Sequence, residues 1–75
     1  MANEIPIRGD SIRLGQLLKL AGVVDSGSEV KALLASQPAL VNGEPEIRRG
    51  RQLHAGDSVI LGEHQLLVVT QPGPS

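Results

Sequence analysis

The chain contains no Cys, Phe, Tyr or Trp. Without cysteine there is no disulfide framework, no thiolate metal site and no cysteine nucleophile. The missing aromatics bear more directly on function. Proteins that grip single-stranded nucleic acid stack bases on aromatic rings, so any nucleic-acid contact here has to run through backbone phosphates and shape. No apolar run approaches the ~20 residues of a membrane span. MANEIPIRGD also lacks the basic-then-apolar layout of a secretory signal. A soluble cytoplasmic protein is therefore expected, with no membrane partner. Neither sign of charge dominates, with seven Lys and Arg against eight Asp and Glu. That balance argues against indiscriminate polyanion binding, although local fields depend on where the charges sit. A Gly-rich phosphate loop, a nucleophile elbow and a metal-binding histidine pair are all absent. His64 sits in a turn without partner ligands, so a metal site is not expected. No enzymatic activity and no cofactor are predicted.

What is present is a short, aliphatic, clearly punctuated chain. Its 75 residues suit one domain. Leu14, Leu17, Leu18 and Ala21 recur at helical spacing. Asp10 or Ser11 can cap that helix, Gly22 can end it, and Gly15 weakens it. SGSE, Ser26 to Glu29, matches the capping box in which serine and glutamate each satisfy the other's backbone N–H. Val30, Leu33 and Leu34 then form a second apolar face, which Pro38 stops. VVD joins the two helices. Beyond Pro38 the pattern changes to turns and β-branched runs: Asn42-Gly43, Ala55-Gly56-Asp57 and Gly62-Glu63 separate short strands, with Val68 and Val69 in the last. The predicted class is α+β, two short N-terminal helices packed on a small antiparallel or mixed β-sheet. Residues 1–12 read as an N-terminal extension with a short strand at EIPIR, 13–70 as the domain, and 71–75 as a flexible tail.

The charged stretch that stands out is IRRGRQLHAG, with Arg48, Arg49 and Arg51 around Gly50 and His54 behind. Arginine forks grip phosphate oxygens in bidentate fashion, and glycine lets a backbone approach closely. The competing reading is a solvated edge whose charges discourage sheet-to-sheet aggregation. At the second helix start, unpaired N–H groups and the helix dipole can seat a phosphate. Ser26 and Ser28 would add hydroxyls there and Lys31 a charge, while Ser26 as a plain cap explains the same pattern. Arg13 offers either a phosphate contact or an ion pair with Asp10. Lys19 reads as a solvated helix lysine, Asp57 as closing its own turn, and His54 as a phosphate donor or a surface residue.

One ordered series ties these segments together. Arg13, Leu14, Leu17, Leu18 and Gly22 are followed by Ser26, Ser28 and Glu29, then Val41 to Glu44. The basic cluster comes next, and Leu53, Gly56, Asp57 and Val59 complete the series. This order resembles the S4-like RNA-binding domain and its αL motif, with small free-standing members of the YbcJ type nearest in layout. The resemblance implies a noncatalytic, monomeric protein that recognises structured RNA, ribosomal or tRNA-like, through a basic surface on the helix pair and the turn beyond it. Ribosomal proteins are further partners it suggests. It places RNA contacts on Arg13, Ser26, Ser28, Lys31, Arg48, Arg49 and Arg51, with His54 beside them. Gly27 departs from the arginine that many members carry between the two serines, and Val30 from their alanine. Two other readings compete. One is a protein-interaction module docking on a ribosome or RNA-processing assembly. The other is a β-grasp carrier, which V-N-G-E also suggests but which the ending QPGPS denies its diglycine terminus.

Overall fold

Turn residues at positive φ delimit most elements of the fold, which the computed structural model describes over residues 3–71. In order these are β1 (Asn3–Ile7), β2 (Ile12–Arg13), α1 (Leu14–Leu20), α2 (Gly27–Ser36), β3 (Ala39–Val41), β4 (Glu44–Glu46), β5 (Gln52–Leu53), β6 (Ser58–Leu61) and β7 (His64–Thr70). Gly22 (φ 79°) closes α1 in a Schellman arrangement. There the Val23 N–H donates to the Leu18 carbonyl at 2.9 Å and the Gly22 N–H to that of Lys19 at 3.1 Å. Asn42 (φ 52°) and Gly43 (φ 86°) give β3 and β4 the two-residue hairpin turn that needs positive φ at both positions.

The class is mixed α/β, with two helices and a five-stranded sheet ordered β1-β7-β6-β3-β4. The sequence reading needs correction on the helices. The helices are not N-terminal, because β1 and β2 precede them. Of the two sheet types expected, antiparallel or mixed, the mixed one is present, because β1 runs parallel to β7, from Asn3 opposite Leu66 to Ile7 opposite Thr70. The first helix also starts later than expected. Ile12 and Arg13 are extended because they pair antiparallel with Leu53 and Gln52 in a separate two-stranded sheet. A long-range pairing thus overrides the local capping choice of Asp10 or Ser11. Of the tail expected at 71–75, only Gln71 is among the described residues, and its N–H donates to the Ile7 carbonyl at 3.0 Å.

One aliphatic core lies between the helices and the inner face of the sheet. Leu14, Leu17 and Leu18 of α1 and Val30 and Leu34 of α2 meet Val41, Val59, Leu66 and Val68, all fully or nearly fully buried. Each such side chain contributes about 1.5–3 kcal/mol relative to exposure. Truncating Leu17 or Leu34 to alanine would cost about 2–5 kcal/mol. The core fixes α1 against β2 and so positions the loop joining β4 to β5, which carries the arginines.

Candidate nucleic-acid interface

Two sets of bonds hold the arginine loop, residues 47–51. The first comes from α1, whose opening N–H groups have no partners within the helix. Leu14 N–H donates to the Arg51 carbonyl at 2.8 Å, and Gly15 N–H donates to the Arg49 carbonyl at 2.9 Å. The loop packs closely over Gly15. A Cβ built there would lie 3.4 Å from the Arg49 Cβ, the Arg49 carbonyl oxygen and a Val30 methyl. The helix-weakening glycine in α1 thus has a packing role. Gln16 completes this corner, its side-chain Oε1 accepting the Arg13 N–H at 3.5 Å.

The second set comes from Glu46, the last residue of β4. Its Oε2 accepts the backbone N–H groups of Ile47 and Arg48 and the Arg48 Nε–H, each at 3.1 Å. Its Oε1 accepts Arg48 Nη2 and Arg51 Nη1, also at 3.1 Å. This is a two-pronged Arg48 fork with a second arginine added. Glu46 is 7% exposed. The Arg48 guanidinium, the Arg48 backbone N–H and then Arg51 hold its pKa down to about 2, against the opposing effect of burial. The fork is half open to solvent, because the Arg48 side chain remains 74% exposed and that of Arg51 38%.

Arg49 points away from this cluster. It lines a groove with Arg13, Gln16, Lys19, Val30 and the start of α2 at Gly27. No carboxylate lines that groove. Among the described residues, none comes within 4.0 Å of the Arg13, Lys19 or Arg49 cations. Three unpaired positive groups therefore converge beside the first turn of a helix. On the other side of the loop Arg48, Arg51, Gln52 and His54 line a separate concavity. His54 is tied to Asp57, whose Oδ2 accepts the His54 backbone N–H at 2.7 Å and lies 3.9 Å from Nδ1. That backbone bond is the main cause of the lowered Asp57 pKa, with the Asn42 amide also contributing. Asn42 joins the two turns, donating to Asp57 Oδ1 at 3.1 Å and accepting the Ser58 N–H at 2.9 Å.

The predicted site residues are thus only partly gathered. Arg13 and Arg49 share one groove, while Arg48, Arg51 and His54 share another. Ser26, Ser28 and Lys31 line neither. The expected capping box is displaced by one residue. Glu29 accepts the Asp25 N–H at 3.2 Å instead of that of Ser26. The Glu29 N–H goes to the Ser26 carbonyl at 3.2 Å, and the Ser26 hydroxyl lies 3.1 Å from that of Ser28. With its oxygen engaged by a neighbouring hydroxyl, Ser26 makes no side-chain cap.

Sequence reasoning missed Glu46 and undervalued Lys19. The signal for Glu46 was available. A two-residue Asn42-Gly43 turn pairs Val41 with Glu44, Leu40 with Pro45 and Ala39 with Glu46, which puts Glu46 on the same inner face as buried Ala39. For Lys19 the spacing of three from Gln16 made the two neighbours on the surface of α1.

With this geometry in place, comparison with known proteins is informative. The chain matches the S4 domain over residues 5–69. It is 52% identical over 59 residues to the probable ribosome maturation protein RlbA of Bacillus subtilis (strain 168), covering 79% of this chain and 83% of that relative.

Proposed function

Since the chain belongs to the S4 domain family, we propose that it is a noncatalytic RNA-binding protein acting on structured ribosomal RNA during ribosome maturation. The observation that carries this reading is the acid-free groove holding Arg13, Lys19 and Arg49. Unpaired cations on a fixed scaffold neutralise phosphates and release their counterions. The loop is braced before RNA arrives, by Glu46 on one side and the α1 N–H groups on the other. Little conformational entropy is then lost on binding. With no aromatic side chain for base stacking, recognition rests on phosphates, 2′-hydroxyls and fold shape. The name of the RlbA relative supports a ribosomal target.

The deciding measurement is affinity for folded ribosomal RNA fragments over a salt series. Log affinity should fall linearly with log salt, by nearly one unit of slope per phosphate contact. Absence of binding at low salt would sink the reading.

One observation favours a second reading, docking on a protein of the ribosome assembly. The outer face of the sheet presents Pro45, Leu40 and Ile60 side by side, with Leu40 37% and Ile60 39% exposed. A pull-down stronger than any RNA affinity, and abolished by Ile60→Glu, would favour it.

A further inference from the structure

A second groove, of about 750 Å³, lies between the end of β1 and α1. Ile7, Ile12 and Leu20 line it, Leu20 being 58% exposed. Its polar lining is Arg8, Ser11, Gln16, Lys19 and Gln71, with no carboxylate among the described residues. Arg8, like Lys19, has no ion-pair partner within 4.0 Å among the described residues. Gln16 uses its oxygen on the Arg13 N–H, which leaves both of its amide N–H donors free for a ligand. This mixture of apolar surface with a few convergent polar groups is the usual make-up of a small-ligand site.

The groove is continuous with the one that holds Arg13 and Arg49, because Gln16 and Lys19 line both. A strand whose phosphates rest on Arg13 and Arg49 therefore meets this groove next along its path, with Arg8 providing a further cation beyond Lys19. A paired base could not reach the apolar surface, because its faces are covered by neighbours in the stack. An unpaired base can be splayed out and its edge read by hydrogen bonds. We propose that this groove seats one unpaired nucleotide of the bound RNA, the base against Leu20 and Ile12 and the phosphate between Arg8 and Lys19. The proposal rests on the RNA-binding reading and narrows its target to a helix interrupted by a bulge or an unpaired end. It also assigns the stacking role, left open by the missing aromatics, to aliphatic side chains.

The test measures binding of the full chain to two RNA hairpins, one fully paired and one identical except for a single unpaired nucleotide. The wild type should prefer the bulged hairpin by about tenfold, and Leu20→Ala should reduce that preference by about three- to fivefold. Arg8→Ala should reduce it similarly through the lost phosphate contact. Both side chains are exposed, so circular dichroism should show an unchanged fold. Equal affinity for the two hairpins overturns the proposal while leaving the RNA-binding function intact, as does a preference that survives both substitutions. Failure of both hairpins to bind at low salt overturns the RNA-binding reading and this proposal together.

Discussion

Arg48 and Arg49 are neighbours in sequence with the same charge, yet they belong to different electrostatic regions. Arg48 and Arg51 share the buried Glu46 carboxylate, so one of the two positive charges on that side of the loop is neutralised. Arg49 joins Arg13 and Lys19 in a groove without acid, where the charge is uncompensated. The first cluster braces the loop, and the second leaves its cations without an ion-pair partner among the described residues. Counting positive residues along a sequence cannot make this distinction, because it depends on which side of the loop each guanidinium takes.

The largest expected effect tests the contrast directly. Replacing Arg13, Lys19 and Arg49 together by alanine should lower the salt slope of RNA binding by nearly three units, whereas Arg48→Ala with Arg51→Ala should lower it by less than one. Equal losses in the two variants would erase the distinction. A second substitution converts one region into the other. Glu46→Ala leaves two backbone N–H groups and two guanidinium groups without their acceptor, and should cost roughly 1–3 kcal/mol in urea unfolding. It also removes the one negative charge beside two cations, so the salt slope should steepen by up to about one unit.

The Glu46 cluster should also reveal itself through pH. The folded pKa of Glu46 lies below the ordinary value of 4.5, at about 2. Its stabilisation is therefore complete above 4.5 and is lost as pH falls from there toward 2. Urea midpoints of the wild type should drop across that window, and Glu46→Gln should flatten the drop. Asp57, also held low, accounts for the part that remains. The smallest expected change is at Gly15. Gly15→Ala gains helix propensity of about 1 kcal/mol but sets a methyl at 3.4 Å from the Arg49 loop. Stability should shift by less than about 0.5 kcal/mol, whereas Gly15→Leu should push the loop outward and weaken RNA binding.

Much of this molecule is legible in short segments. The positive-φ positions Gly22, Asn42, Gly43, Gly56 and Gly62 all fall where turn chemistry predicted helix ends and turns. Leu14, Leu17 and Leu18 are buried as their spacing required. What escaped the sequence reading depends on partners distant along the chain. The start of α1 is set by carbonyls of Arg49 and Arg51, and the β2 pairing that delays it comes from Gln52 and Leu53. The choice between the two expected sheet types, decided for the mixed one, comes from β7 inserting between β6 and β1. At the site, the residue types of the basic cluster were visible, but its division into a braced and an open side was not. That division follows from the inward register of Glu46, which local composition presents only as a flanking acid.

The parallel pairing of β1 with β7 has a consequence for the order in which the protein can be made. Residue 3 finds its partner at residue 66, so during synthesis the first strand emerges long before there is anything for it to join. Every residue of the Arg13, Lys19 and Arg49 groove is translated within that interval. Closing so long a loop adds little to the entropic cost, which grows only with the logarithm of its length, but long-range pairing is what slows folding. β1 is also an edge strand held on one side alone, and the end of β1 forms part of the wall beside Leu20. Peeling of this strand would dismantle the wide groove and leave the arginine groove standing. Fraying of β1 therefore acts on the wide groove and not on the arginine groove.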